Sequence, residues 1–280
     1  MDTSLTAKLT AALAARDDDL KRRRMPETDT ARSSTSTLID FSSSDYLSLA
    51  TSQRLRNLYL QKLNDAPDIL GAGGSRTAVN SKAHDDLEER VKKIFRSEGA
   101  LIFNSGCTAN IGFFACIPQV GDVIVHDESI HASVYDGMRA SRIRDTGLVP
   151  FSHNSMFVLH AILAKLLEDR PGLRSGANSV FVAVESLYSM DGSFAPLLEI
   201  VNLLESLFPK QNAYLVVDEA HCTGVYGDNG RGRVAELGLE SKVFARIHTF
   251  SKVLVASGGT HHNVLHYLAL RILILIQALS

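Results

Sequence analysis

The sequence predicts an α/β fold, a mostly parallel sheet with helices on both faces. Two observations carry this expectation. From Ala100 to Ile247, short apolar runs alternate with stretches of helical period, the order of repeated βαβ units. The runs are also apolar at successive positions, as in Val180-Phe181-Val182-Ala183-Val184. A strand half exposed to water would alternate, so these strands are buried on both sides.

The elements follow in order. Leu5 to Arg24 reads as an Ala-rich helix ending in the basic run Lys21 to Arg24. Met25 to Thr37 is rich in Ser and Thr and reads as a surface linker, so residues 1–37 form an N-terminal helix and linker. Leu55 to Leu63 is a short helix and Gly71 to Arg76 a loop. Ala83 to Phe95 is amphipathic, with Leu87, Val91 and Ile94 on one face. Strands are then expected at Ala100–Phe103, Val123–Val125, Leu148–Phe151, Val180–Val184, Tyr214–Val217 and Val243–Ile247. Helices are expected at Thr108–Ile117, Ile130–Ser141, Phe157–Leu167 and Pro196–Leu207. Residues 38–260 make one large domain, and 261–280 a divergent apolar tail. No internal repeat is present.

Composition narrows the partners. A chain of 280 residues with 45% hydrophobic and 21% charged residues is an ordinary globular protein. Its net charge of −2 points to no nucleic acid. The three cysteines lack CxxC spacing and read as reduced thiols, with neither a disulfide framework nor a zinc site. Asp17-Asp18-Asp19 near the start argues against a mitochondrial presequence, and Ala278-Leu279-Ser280 is not a peroxisomal tripeptide. The tail from Val264 to Leu279 contains His266 and Arg271 and makes a poor membrane span. A cytoplasmic location is expected, with the peroxisome left open for a longer form.

Polar groups stand at the ends of two of the apolar runs. Asp218-Glu219-Ala220-His221 closes the run from Tyr214 to Val217, and Thr249-Phe250-Ser251-Lys252 follows the run from Val243 to Ile247. The carboxyl ends of strands are where open α/β sheets bind ligands. A lysine able to form a Schiff base, beside an acid able to pair with a pyridinium nitrogen, suits pyridoxal 5'-phosphate. Asn104-Ser105-Gly106-Cys107-Thr108-Ala109-Asn110 supplies a matching anion site. Gly106 admits close backbone approach, and the next amides point out of a helix N-terminus. Taken alone, that segment is as well explained as a capped strand-to-helix turn. Asp-Glu-Ala-His is also a helicase Mg²⁺ box, but that reading needs a GxxxxGK[ST] loop, and none is present. Lys252 and His131 taken singly are an ordinary surface lysine and an ordinary helix-start histidine. His262 and His266 stand four apart, but no carboxylate lies near them in sequence and no metal site is assigned.

Taken together the motifs resemble the α-oxoamine synthases. The resemblance rests on Ser42 to Leu49, Gly73-Gly74-Ser75-Arg76, His84 through Leu87-Glu88, and Phe103 to Asn110. It continues with His131-Ala132-Ser133, Glu185 through Ser189-Met190-Asp191-Gly192, Asp218 to Gly224 with Gly230-Arg231-Gly232, and Thr249 to Lys252. These occur in family order from about Leu38 to Gly259. Within the family the chain most resembles the fungal type of the branch that makes 8-amino-7-oxononanoate in biotin synthesis. Glycine C-acetyltransferases, 5-aminolevulinate synthases and serine palmitoyltransferases share most of the motifs.

The resemblance implies the large domain of a fold type I pyridoxal phosphate transferase. It also implies an acyltransferase that joins an amino acid, alanine in that branch, to an acyl-CoA, pimeloyl-CoA in that branch, with loss of CO₂ and CoA. Carried over by motif, Lys252 holds the cofactor and acts as base, Asp218 pairs with its ring nitrogen, and His131 stacks on the ring. His221 and Ser189 lie by its phenolic oxygen, and Gly106, Cys107 and Thr249 hold its phosphate. Arg22 faces the acyl substrate together with His131. A homodimer is implied, with the Gly73–Arg76 loop approaching the partner's site.

The chain departs from the pattern at Ser44, where Asn is usual, at Cys107, where an aromatic is usual, and after Gly259. There the family's small C-terminal domain is expected to be absent, with a truncated or mis-spliced gene model behind it. Catalysis by the chain alone is then expected to be impaired. A non-catalytic cofactor-binding subunit is a further reading, which the intact Lys252 opposes. An ordinary aminotransferase fits His131 and the Ser189-to-Gly192 motif less well.

Overall fold

The computed structural model describes residues 3–19, 40–67, 69, 73, 74, 76, 78–143 and 145–263. It divides into two units, residues 1–43 and 44–280. In the first, α1 (Thr3–Asp18) is the described helix; Arg22 and the expected linker from Met25 to Thr37 lie outside the described residues. The expected tail lies outside them from residue 264 onward.

The second unit is built on a seven-stranded sheet. Its strands are β1 (Gly99–Phe103), β2 (Val123–Asp127), β3 (Leu148–Phe151), β4 (Val180–Glu185), β5 (Ala213–Asp218), β6 (Ala245–Thr249) and β7 (Gly259–Asn263). They lie in the order β1-β7-β6-β5-β4-β2-β3. Neighbours from β6 to β3 pair in parallel, and β7 runs antiparallel to both β6 and β1. Between and before the strands come α2 (Gln53–Asp65), α3 (Lys82–Phe95), α4 (Gly106–Cys116), α5 (Ala132–Arg139), α6 (Met156–Asp169), α7 (Pro171–Ser175), α8 (Leu197–Leu207) and α9 (Arg233–Glu236). Among the described residues no helix is long and apolar enough to cross a membrane.

Both faces of the sheet are covered, and the strand sequences show how. Val123, Val125, Val180, Val182, Val184, Leu215 and Val217 belong to one core with Leu159 and Leu163 of α6 and Leu197 and Ile200 of α8. The residues between them, Ile124, Phe181, Ala183 and Val216, join Ala245 and Ile247 in a second core with Phe113 of α4 and Val134 of α5. Successive side chains point to opposite faces of a strand, so two cores require unbroken apolar runs.

Serine side chains start the helices. Ser52, Ser81, Ser105 and Ser155 accept from the backbone N–H three residues on, at the heads of α2, α3, α4 and α6. Arg76 reaches from the loop before α3 to Glu88 within it, with Nη2 donating to Oε2 at 2.6 Å. Glu88 Oε1 also accepts the Ile102 amide of β1 at 2.9 Å. The Gly73–Arg76 motif thus ties its loop to α3 and β1 in the same chain; Gly71, Ala72 and Ser75 lie outside the described residues.

The expected strands are all present, with one correction. The series does not end at β6. Gly259-Thr260-His261-His262-Asn263 forms β7, inserted between β1 and β6, and the boundary drawn from sequence at 260/261 falls inside it. No apolar run marks this strand. Two of its side chains pack against neighbouring elements instead. Thr260 Oγ1 donates to the Leu101 carbonyl at 3.1 Å, and the buried His261 ring lies 4.9 Å from Phe113. The helix expected from Ile130 to Ser141 is shorter, because His131 is its N-cap and accepts the Ser133 amide at 3.2 Å.

A central strand has both edges paired, so Thr260→Pro removes a ladder donor that water cannot replace. The substitution leaves a buried carbonyl without its partner, should cost about 1–3 kcal/mol, and should lower the midpoint of the urea transition followed by circular dichroism. An unchanged midpoint would place β7 outside the folded core.

Candidate active site

Because the strands from β6 to β3 are parallel, their last residues share one edge. Asp127, Glu185, Asp218 and Thr249 end β2, β4, β5 and β6, and Glu185 and Asp218 are register partners. A cavity of about 170 Å³ opens there, lined by Gly106, Cys107, His131, Glu185, Asp218, Thr249 and Lys252 among others. A larger cleft of about 580 Å³, walled by Leu204, Phe208, Tyr214 and Phe244, lies by the starts of β5 and β6 and holds none of these groups.

Asp218 is buried at 6% exposure and fixed in direction. Its Oδ2 accepts from Asn110 Nδ2 at 2.7 Å and its Oδ1 from the Ala220 amide at 2.9 Å. Asn110 also donates to Ser133 Oγ at 3.0 Å, and Ser133 Oγ lies 2.7 Å from His131 Nδ1. One polar chain therefore links the acid at the end of β5 to the histidine at the head of α5. On the other wall, Lys252 Nζ lies 2.8 Å from His221 Nε2, and His221 Nδ1 lies 3.1 Å from Tyr46 Oη.

The helix start is shaped for an anion. Ser105 caps α4, with its Oγ accepting the Thr108 amide at 3.0 Å and Thr108 Oγ1 accepting the Ser105 amide at 3.1 Å. Gly106 and Cys107 are then the first helical residues, whose amides have no acceptor within the helix. A Cβ on Gly106 would stand 2.8 Å from Thr249 Cβ, so only glycine lets the helix start and the end of β6 meet. Cys107 is exposed, and its contribution here is its backbone.

Burial moves several of the ionisable groups. Desolvation lowers the Lys252 pKa from the usual lysine range, against the charges of Asp218 and Glu185, which raise it. Desolvation, followed by the Lys252 charge, lowers His221 to about 4. Desolvation, followed by the Asp218 charge, pushes Glu185 up to about 8. A buried acid beside another acid holds its proton.

Of the residues singled out by sequence, Gly106, Cys107, His131, Asp218, Thr249 and Lys252 meet at the cavity, and His221 joins them through Lys252. Ser189 does not line it. The turn after β4 closes on itself through Tyr188 N to Ser193 O at 2.9 Å and Gly192 N to Tyr188 O at 3.0 Å, which leaves Ser189 exposed. Arg22 lies outside the described residues. Sequence reasoning missed Asn110, Glu185 and Tyr46 as site residues, although each stands inside a motif it quoted.

Residues 36–264 match the family Aminotransferase class I and II. The chain belongs to that family. It is 44% identical over 258 residues to an 8-amino-7-oxononanoate synthase of Emericella nidulans, which covers 91% of this chain and 61% of the relative. It is 40% identical to an aminoacyl transferase of Aspergillus fumigatus, over 79% of this chain and 47% of the relative. Among solved structures, a serine palmitoyltransferase of Sphingomonas wittichii superposes with a TM-score of 0.71 at 29% identity, over 83% of this chain and 54% of that one. The chain thus spans about half to three fifths of the length of these relatives. The shared fold is that of the pyridoxal phosphate-dependent transferases, and family and cavity together make pyridoxal 5'-phosphate the cofactor. The residues fit it: an amine at Lys252, a fixed acid at Asp218, and a glycine-lined helix start between them.

Glu185 gives a pH-dependent signature in the cofactor-free protein. Its folded pKa of about 8 lies above the unfolded value near 4.5. Its contribution is therefore fully present below the unfolded pKa and is lost as pH rises through 8. Glu185→Gln cannot ionise, so it should gain on wild type between those limits, by up to about 1.4 kcal/mol per pH unit. Urea unfolding of both proteins at several pH values measures the difference. A constant difference would mean that Glu185 ionises normally.

Proposed function

We propose that the chain is the cofactor-binding body of an α-oxoamine synthase. It joins an amino acid, alanine as first choice, to an acyl-CoA, pimeloyl-CoA as first choice, with release of CO₂ and CoA, as in biotin synthesis. The observation that carries this reading is the convergence of Lys252, Asp218 and the α4 start on one cavity at the carboxyl edge. His131 at the same cavity, the Ser189-to-Gly192 motif and the names of the relatives favour acyl transfer over transamination. The other members of the synthase family, among them glycine C-acetyltransferase and serine palmitoyltransferase, are the alternative. A homodimer belongs to the same proposal.

Each residue then has a task. When bound, the cofactor supplies an electron sink for the amino acid's α-carbon. Lys252 is its covalent attachment point. As a free amine, Lys252 would take the amino acid's α-proton, for which a lowered pKa is the requirement. Asp218, held by Asn110 and Ala220, keeps a proton on the ring nitrogen. The Gly106 and Cys107 amides and Thr249 Oγ1 bind the phosphate. His131, which lines the cavity, would help hold the cofactor and orient the thioester.

Purified protein given pyridoxal phosphate should gain a visible absorption band, and Lys252→Ala should remove it. The same band in Lys252→Ala would end the assignment of the lysine. Pairing alanine, glycine and serine with pimeloyl-, acetyl- and palmitoyl-CoA then tests the substrates by CoA release, with sedimentation for the dimer. Turnover greatest with a pair other than alanine and pimeloyl-CoA would move the chain to another branch.

Asp218→Asn should slow exchange of the alanine α-proton in deuterium oxide by about 100-fold or more while the phosphate site still retains cofactor. Unchanged exchange would show that another group faces the ring nitrogen.

A further inference from the structure

The polar chain between Asp218 and His131 has a direction. Asn110 on α4 and Ser133 on α5 are both buried. Their helices touch at Gly137, where a Cβ would stand 3.0 Å from the Ile111 Cα. Asn110 Nδ2 carries two hydrogens, and gives one to Asp218 Oδ2 at 2.7 Å and the other to Ser133 Oγ at 3.0 Å. The amide oxygen has no partner among the described residues, so the nitrogen alone orients the amide. Ser133 Oγ accepts from Asn110, and its own hydrogen is left for His131 Nδ1 at 2.7 Å. The Ser133 backbone amide, which only donates, meets the same Nδ1 at 3.2 Å. Two hydrogens converge on Nδ1, which must offer them its lone pair. In the neutral ring the hydrogen is then on Nε2.

We propose that Asn110 and Ser133 are positioning residues that hold His131 as its Nε2–H tautomer. The ring then has a hydrogen-bond donor, and no lone pair, left for the cavity it lines. The use of that donor rests on the reading of His131 as the residue that orients the thioester. A thioester's carbonyl oxygen accepts and cannot donate, so the other tautomer would set a lone pair against it. The chain takes nothing that the cofactor needs. A carboxyl group has more lone pairs than the Asn110 and Ala220 hydrogens take from Asp218. Contact at the Nδ1 edge also leaves the faces of the His131 ring unused. Both positioning side chains are locked between packed helices, as a shell that orients a reacting group must be.

The alternative is that Asn110 and Ser133 only tie α4 to α5 and β5. The full chain with ¹⁵N-labelled histidine, free of cofactor, separates the two. Long-range ¹H–¹⁵N spectra should show His131 protonated on Nε2, with Nδ1 displaced from the position of a free lone pair. Ser133→Ala should move Nδ1 toward that free position, and Ser133→Thr, which keeps the hydroxyl, should return it. Asn110→Ala should move Nδ1 in the same direction as Ser133→Ala, because the hydroxyl is no longer fixed as an acceptor. The signals of His160, exposed on α6, should stay in place throughout. With pyridoxal phosphate, alanine and pimeloyl-CoA, kcat for CoA release should fall about fivefold in Ser133→Ala, the equivalent of one lost neutral hydrogen bond. Ser133→Thr should recover most of that loss.

His131 protonated on Nδ1 in the wild type overturns the proposal, whatever the variants do. An Nδ1 signal that neither Ser133→Ala nor Asn110→Ala moves overturns it as well. Moved Nδ1 signals with an unaltered kcat overturn the positioning role. No CoA release by the wild type with any acyl-CoA overturns the acyl-transfer reading instead, and the Nδ1 signals of the cofactor-free protein still decide the tautomer.

Discussion

Burial of the sheet on both faces is the constraint from which the site follows. Strands with apolar side chains on both sides can be covered only by helices that cross from one strand's end to the next strand's start. Crossovers of that kind make the strands parallel, and parallel strands put all their carboxyl ends on one edge. Asp127, Glu185, Asp218 and Thr249 are neighbours for this reason, although they are far apart in the chain. The α4 helix adds its start to the same edge because it follows β1, which points the same way. The cavity is thus a consequence of how the core is covered.

The reversed strand β7 completes this arrangement. It fills the space between β1 and β6, so neither is left with an open edge on that side. Its first residue pairs with both Phe103 and Thr249, and a Cβ on Gly259 would stand 2.4 Å from the Gly106 nitrogen. Glycines at 106 and 259 therefore allow the anion-binding helix start to pack directly on the sheet. The sequence motif around Gly106 and the glycine that opens β7 describe a single close approach.

Much of this was legible in the chain because apolar runs report burial directly. The strands from β1 to β6 were readable as such runs, and Asp218 and Lys252 as polar groups just beyond two of them. β7 was not readable, because a strand of Gly, Thr, His, His and Asn meets its neighbours through ring packing and a hydroxyl bond. Asn110 and Tyr46 escaped for a different reason. Asn110 bonds a residue 108 positions away and Tyr46 one 175 positions away, and no local spacing encodes either contact. Glu185 was visible as part of a motif, but its chemical character arises from the register that sets it beside Asp218. Sequence shows which groups reach the edge; the fold decides which of them stand side by side.

That last distinction explains how one small cavity holds two acids, an amine and two histidines without opposing itself. Desolvation acts against every charge there, so the number of charges must be kept low. Glu185 holds its proton beside Asp218, and His221 stays neutral beside Lys252. Asp218 and Lys252 remain as the other acid and the amine of the site. Asp218 is anchored by Asn110 and the Ala220 amide, which fix its direction. Lys252 lies against the His221 ring, and its burial outweighs the nearby acids in favouring the uncharged amine. The acid is fixed in direction and the lysine is eased by burial toward its neutral form, which is the division of labour that a proton-transferring pyridoxal site requires.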